Sequence, residues 1–590
     1  MMTMSEAPSP TQPASAAIPR PIAEEIAAFA QRVQAYLGGS LSPDDFKTCR
    51  LQAGIYGLRG LKDRQMVRVK VPGGRLTAEQ MERLSRLATE YATGRGHITT
   101  RQDLQLYEVP VGRVPALMRG LAEVGLTTRE ACGNSVRNVT ACPFAGLCAD
   151  ELFDVTPYAL AVTRYFLRNP VSQHLPRKFK ISVSGCRRDC AMAPIHDIGA
   201  VAACRDENGQ TVSGFTLYAG GGLGAVPRAA QRLEPFTPIS RLLSTFEAII
   251  RVFDQHGERK NKSRARMKFL IERIGFAEFQ RLVEIERGAL LDAPERFPAL
   301  PEPSPVAPSE ADHPARPGVG AAGLSRWLAT NLRPQRQSGY WTVTVRLPLG
   351  DLSSMQMWRL AQLARLHGRG ELITTQWQDL CLPWVQPQRL EPLYDELSWI
   401  GLALPQACRL QDITACPGAD TCQIGITSSR GLATALTRLL EQPLYHTGDL
   451  KDLRIKISGC PNSCGQHHVA DIGLFGAAKT LNGRLIPHYQ LLLGGACADG
   501  AVQFGQPVVR LPAKRVPQAI ERLLACYRKQ RLDHESFRAF VQRVGVAAIQ
   551  QELEPFTLLE VGTEPEAAKD WGKAEPFSLG GMGQGECAGG

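Results

Sequence analysis

Eight cysteines stand in two groups with one spacing. Cys142, Cys148, Cys186 and Cys190 follow C-x5-C, 37 intervening residues, then C-x3-C; Cys416, Cys422, Cys460 and Cys464 repeat it 274 positions later without a residue gained or lost. Four thiolates so spaced can hold an iron–sulfur cluster or zinc, or stay buried and unligated. Zinc sites usually pair cysteines roughly two to four residues apart, so the five-residue gap favours a cluster. Small residues and proline in ACPGADTC (415–422) and SGCPNSC (458–464) let backbone approach an inorganic centre and aim amides at its sulfurs.

Cations form the second chemical signal. Arg68 and Lys70 lie two apart in MVRVKV (66–71), Lys178 and Lys180 two apart in LPRKFKISVSG (175–185), and Arg95, Arg101 and Arg137 add three guanidinium groups. Taken singly, each is more simply a solvated surface charge. Converging, they would make a pocket able to neutralise a polycarboxylate cofactor and orient a small oxyanion. The second copy does not keep this set: Arg137 aligns with Gln411, Lys178 with Asp452 and Lys180 with Arg454. The first half therefore reads as the anion-recognising one and the second as the one with the cleaner cluster loop.

The elements that must position these groups repeat too. A strand at 66–71, a helix over LTAEQMERLSRLATEYA, an extended HITTRQDLQLYEVP and a helix over VPALMRGLAEVG return after Trp341, at an offset drifting between 274 and 276, with Gly94-Arg95-Gly96 matched to Gly368-Arg369-Gly370. The expected fold is α+β, internally duplicated, in a pseudo-twofold arrangement. Its expected divisions are an N-terminal arm (1–62), a first half-domain (63–128), a first cysteine domain (129–297), a Pro-rich linker (298–320), a second half-domain (321–403), a second cysteine domain (404–560) and a flexible tail (561–590) carrying an unaccompanied Cys587.

At 590 residues the chain exceeds one core. No run of eighteen apolar residues spans a membrane, and the first residues carry no export or organelle signal, so a reducing cytoplasm is expected. The net charge of +11 fits a negatively charged protein partner or small anion. No zinc-finger spacing or aromatic RNA-binding motif argues for nucleic acid, and the basic run HGERKNKSRARMKF (256–269) reads as a solvated helix start.

From GIYGLRG (54–60) through Phe556, the chain resembles the siroheme-dependent nitrite/sulfite reductase family. The resemblance rests on ACPGADTC, SGCPNSCGQHH, MVRVKVPGG, GRGHITTRQDLQL, RNVTACP and LPRKFKISVSG in order. It implies ferredoxin-like half-domains paired with nitrite/sulfite reductase domains. It implies that Cys416, Cys422, Cys460 and Cys464 ligate a [4Fe–4S] cluster, with Cys464 bridging to siroheme. Thr99, Thr100, Arg101 and Gln102, with Lys70 and Arg95, would lie against the macrocycle. Arg68, Arg137, Lys178 and Lys180 would bind the anion. The implied activity is six-electron reduction of sulfite to sulfide, or of nitrite to ammonia. Electrons would come from an external donor, a ferredoxin or a separate flavoprotein, since no flavin- or NADPH-binding region accompanies the core. A non-enzymatic Fe–S scaffold or redox sensor is the alternative class. The resemblance gives the Cys142, Cys148, Cys186 and Cys190 quartet no role. A relic or structural thiol group, a second cluster, and zinc or a redox-controlled linkage all stay open.

Overall fold

A computed structural model describes residues 18–291, 294–303, 322–559, 562 and 564–583. The linker expected at 298–320 lies largely outside these residues, as does Cys587. Helix Ala78–Tyr91 opens with a capping box, Thr77 and Gln80 each satisfying the other's backbone N–H; Ser353 and Gln356 do the same for Ser354–His367. These two helices pack on one another over a single apolar core that draws on both half-domains.

Four five-stranded sheets carry the α+β architecture. The first runs Ile55–Leu58, Leu61–Val69, Leu104–Pro110, Arg95–Ile98 and then Asp351–Ser353 from the second half; the third runs Leu332–Pro334, Trp341–Val345, Leu380–Val385, Glu371–Thr374 and then Arg75–Thr77 from the first half. Each half-domain thus lends an edge strand to the other's sheet, in antiparallel register: Asp351 opposite His97, and Glu371 opposite Thr77. The reciprocal loan pairs edges that would otherwise lie open and locks the seam.

The structure corrects the register of the repeat here. Gly94 and Gly370 have φ of 71° and 72°, and their N–H groups bond the Ala88 and Ala364 carbonyls; Thr99 and Thr375 donate to the Asp103 and Asp379 carbonyls. All four pairs are 276 residues apart. The Gly-Arg-Gly match is therefore two residues out of step: Arg95 is the counterpart of Glu371 in the other copy, and Lys70 that of Arg346. The expected divisions shift as well. The hairpin of Ile55–Leu58 and Leu61–Val69 crosses the boundary drawn at 62/63, and helices Arg20–Leu37 and Pro43–Gln52 contribute Phe29, Val33 and Phe46 to the core.

The other two sheets are mixed. In each, two short strands and a long third run parallel, and two more follow, each antiparallel to its neighbour: Thr140–Ala141, Ile181–Ser184, Ile198–Glu207, Gln210–Ala219, Gln231–Pro238, and Thr414–Ala415, Ile455–Ser458, Ile472–Leu481, Arg484–Leu493, Gln506–Pro512. Both cysteine loops of each half leave the C-terminal ends of neighbouring parallel strands, which is what brings residues some forty positions apart together. The described part of the tail is not free. Asp570 accepts from the Ser428 N–H at 2.6 Å, Lys573 pairs with Asp420 at 2.8 Å, and the Gly583 N–H reaches the Gln423 carbonyl at 3.0 Å. It docks on the second cysteine loop. The basic run at 256–269 also departs from expectation, because Arg266 and Lys268 turn inward and are buried.

Candidate functional site

The second quartet is built on glycines. A Cβ at Gly418, whose φ is +58°, would meet Ser429 Oγ at 2.4 Å and the Thr427 carbonyl at 2.6 Å; one at Gly425 would meet Gly418 C at 2.5 Å, and one at Gly459 would meet Gly418 Cα at 2.6 Å. Backbone packs directly on backbone, so the loops close around the cysteines. The Gly459 N–H donates to Cys416 Sγ at 3.2 Å and Asn462 Nδ2 to Cys460 Sγ at 3.6 Å, the amide pattern a cluster's thiolates require. The four thiols interact electrostatically, Cys460 with Cys464, Cys416 and Cys422, yet no three of their sulfurs come within 4.8 Å of one another. A single zinc, with Zn–S near ~2.3 Å, would draw them to about 3.8 Å. The set fits a wider centre, and the four-iron cube fits it.

Across the seam, Thr100 Oγ1 donates to the Cys464 carbonyl at 2.9 Å, and Gln466 Nε2 to the Thr100 carbonyl at 3.5 Å. Lys180 lies in the field of Cys464 and beside Arg101, Arg266 and Lys178; burial first and these cations next push its pKa well below the usual lysine value. Arg101 is held down to about 10, burial leading, with Arg137 and Arg68 adding to it; one nitrogen bonds the Asn138 carbonyl and buried Nε has no partner. An unpartnered guanidinium N–H is what an incoming carboxylate satisfies. The late thiolates and early cations thus meet, and the arrangement can hold a polyanionic cofactor and a small anion beside Cys464.

Not every expected residue faces this space. Arg68 stacks over Tyr56, 4.9 Å from the ring centroid, and shares the Ala131 carbonyl with Arg137. Arg137 also spends two nitrogens on the Gly133 carbonyl at 3.1 and 2.8 Å. Lys70 is buried, with its ammonium on the Val136 carbonyl at 3.3 Å and 3.8 Å from Glu130; it braces the wall. Thr99 shapes the turn, its hydroxyl accepting from the Arg101 and Asp103 N–H groups. Arg95 is exposed and lines a cavity of about 280 Å³ with His97, Tyr107, Asp351, Thr421 and Arg430.

Gln102 proves a pin. Its amide donates to the Thr374 carbonyl at 2.8 Å and accepts from the Ala141 N–H at 2.9 Å, fixing the residue before Cys142. Gln378, absent from the sequence expectations, does the same before Cys416: it accepts from the Ala415 N–H at 2.8 Å and donates to the Ile98 carbonyl at 3.1 Å. Its signal was the repeated Gln-Asp dipeptide. The Asp of the first copy was missed too: Asp103 is buried among Arg68, Arg101, Lys70 and Arg137, with burial still raising its pKa. Asp197 holds the Lys180 N–H at 2.9 Å and pairs with Arg266 at 2.8 Å.

The first quartet differs. Its thiols interact electrostatically, Cys142 with Cys190 and Cys148, and Cys186 with the same two. Cys142 and Cys148 belong to the apolar core of their domain, with Cys190 packed against it; no cysteine of the second quartet is part of an apolar core.

Comparison with known proteins agrees with this geometry. The nitrite and sulphite reductase 4Fe-4S domain matches residues 132–289 and 407–557, and the nitrite/sulfite reductase ferredoxin-like half domain matches 59–124 and 333–398. The chain is 29% identical over 520 residues to an assimilatory ferredoxin-dependent nitrite reductase of Haloferax mediterranei, covering 86% of each. It is 29% identical over 522 residues to a sulfite reductase [ferredoxin] of Mycobacterium tuberculosis, covering 87% of this chain and 86% of that one. The solved structure of the Mycobacterium tuberculosis NirA protein superposes with a TM-score of 0.74 at 26% identity, covering 90% of this chain and 97% of that one. With both domain types matched twice, and the cations of one half meeting the cluster loop of the other, the chain belongs to the nitrite and sulphite reductase family.

Proposed function

We propose that the protein is an oxidoreductase that reduces sulfite to sulfide with six electrons from an external ferredoxin. The observation that carries this reading is the meeting of Arg101, Lys178 and Lys180 with the Cys464 loop, tied by the Thr100–Cys464 bond. Cys416, Cys422, Cys460 and Cys464 would hold a [4Fe–4S] cluster, and Cys464 with Arg101 and its cationic neighbours would hold siroheme. When bound, these groups supply the electron path and the iron at which the anion is reduced.

The chain's own residues do the rest. Arg101 neutralises cofactor carboxylates through its unpartnered nitrogen. Lys178 and Lys180 concentrate negative charge, and an anion with two charges gains more from that field than one with a single charge, which favours sulfite over nitrite. Each oxygen must leave as water, because expelling oxide costs far more. Lys180 Nζ, whose pKa is pulled down, gives up its proton more readily than an ordinary ammonium. Asp197, itself held by Arg266, fixes the backbone at Lys180.

Nitrite reduction is the second reading, favoured by the equal identity to the Haloferax enzyme. A reducing cytoplasm suits the free thiols. Among the described residues no helix is long and apolar enough to cross a membrane. Purified protein supplied with reduced ferredoxin and each anion separately tests the proposal. Higher kcat/KM with sulfite supports it; a clear preference for nitrite replaces it with the second reading, and siroheme-free protein without turnover ends both.

A further inference from the structure

Among the described residues, one group of side chains with metal-ligand chemistry comes together, and no part of the proposed activity uses it. Asp379, Cys408 and Asp412 each offer one atom, and the three atoms lie within 4.8 Å of one another. An ion at their centre would stand at most about 2.8 Å from each, against roughly 2.0–2.3 Å in zinc sites, so small side-chain turns complete the contact. Asp379 and Asp412 are buried. The Leu347 N–H takes one oxygen of Asp379 at 2.8 Å; the other, Oδ2, is buried without a partner. Only a proton or a cation can satisfy such an oxygen.

The repeat shows what is particular to this copy. Asp103, the counterpart of Asp379, stands among Arg68, Arg101 and Arg137, whose own counterparts are Thr344, Trp377 and Gln411. Asn134 and Asn138 give way to Cys408 and Asp412. Three guanidinium groups are lost and two acidic groups gained, so the place that gathers positive charge in one half gathers cation ligands in the other. Arg346 remains: its Nε lies 3.8 Å from Asp412, while its other two nitrogens are taken by the Pro405 and Gln411 carbonyls. With both carboxylates and the thiolate ionised, that one guanidinium leaves two negative charges, which a dication cancels.

We infer that Asp379, Cys408 and Asp412 bind a single zinc ion, with water as the fourth ligand, which ties the second half-domain to the chain leading into Cys416. On binding, the Cys408 thiol releases its proton to solvent, and the thiolate and one oxygen of each carboxylate donate to the metal. A thiolate selects zinc over magnesium or calcium, which take oxygen ligands. Asp379 directly precedes strand Leu380–Val385 of the half-domain, and Asp412 stands two residues before strand Thr414–Ala415 of the cysteine domain. The Cys408 N–H donates to Asp412 Oδ2 at 2.7 Å, so this loop presents its thiol and carboxylate together. Residues 403–406, 408 and 409 are half-buried, which puts the loop at the surface, where an ion reaches it. The competing arrangement is a proton shared by the two acids: burial and then the Asp412 charge hold Asp379 well above the usual carboxylate range.

Holoprotein dialysed against micromolar zinc and then against metal-free buffer tests this, with zinc and iron measured per chain. The parent should retain about one zinc, lost in Cys408→Ser and in Asp412→Asn, while iron and siroheme absorbance persist. Asp412→Asn restores the residue of the first copy and offers Asp379 a donor, so it spares the fold. X-ray absorption at the zinc edge of the parent should show one sulfur at about 2.3 Å among oxygens; this shell still decides if a variant also loses iron. No zinc retained by the parent, as a shared proton predicts, equal zinc in parent and both variants, or a shell of sulfur alone, as a thiol quartet would give, each overturns the inference. Bound zinc is read without turnover, so the result is separate from the test of the proposed activity.

Discussion

Gly418→Ala tests whether backbone contact, rather than cysteine spacing alone, makes the cluster loop. At φ of +58° an alanine is strained by about 1–2 kcal/mol. Its Cβ would also stand 2.6 Å from the Thr427 carbonyl and 2.7 Å from the Ser429 nitrogen, both backbone atoms that cannot swing aside. Overpacking of that kind costs about 1–3 kcal/mol. Together the two give about 3 kcal/mol, which disfavours the closed loop about a hundredfold. Gly483→Ala is the control: φ is +74°, but its Cβ meets nothing within 4 Å, so only the backbone cost applies. Iron per chain and visible absorbance, measured on both variants beside the parent, should show a large loss for Gly418→Ala and little for Gly483→Ala. Equal cofactor content and equal thermal midpoints in the two variants would refute the argument.

Lys180→Ala should keep siroheme and iron while lowering kcat about a hundred- to thousandfold, as loss of one preorganised charge does; unchanged steady-state kinetics in folded protein would remove it from the site. Gln378→Ala leaves the buried Ala415 N–H without a partner, at about 1–3 kcal/mol, and should deplete iron more than Gln102→Ala, whose pin serves the first quartet. Burial raises Asp189 to about 7, so the folded chain binds a proton that the unfolded chain has already released. That contribution is fully present below the ordinary aspartate pKa and is lost as pH rises towards 7; thermal midpoints between pH 4 and 8 should therefore decline less steeply in Asp189→Asn. Truncation after residue 563 removes the Asp570 and Lys573 contacts with Ser428 and Asp420 and should speed loss of visible absorbance in air.

Much of the site could be read in the chain itself. Exact recurrence of eight cysteines announced the duplication, because an insertion in either loop would shift the sulfurs off the strand ends that present them. Cations two residues apart raised the expectation of an anion site, since strand neighbours at that spacing share a face. What a charge does on arriving was not legible. Lys70 and Lys180 look alike in sequence, yet one is consumed by Glu130 and the Val136 carbonyl while the other lies by Cys464. Gln102 read as a cofactor contact and proved a pin, because its partners Thr374 and Ala141 are far away along the chain.

The sequence by itself determined the family, the duplication and the cysteines available to hold metal, for these depend on residue type and spacing. Only the tertiary structure decided that the halves exchange edge strands, that the register is 276 in the half-domains, and that the two quartets are unequal. The physical reason is contact: the surroundings of four thiols are set by what packs behind them, glycine backbone at 418 and 425, Phe144 and Glu151 in the other copy.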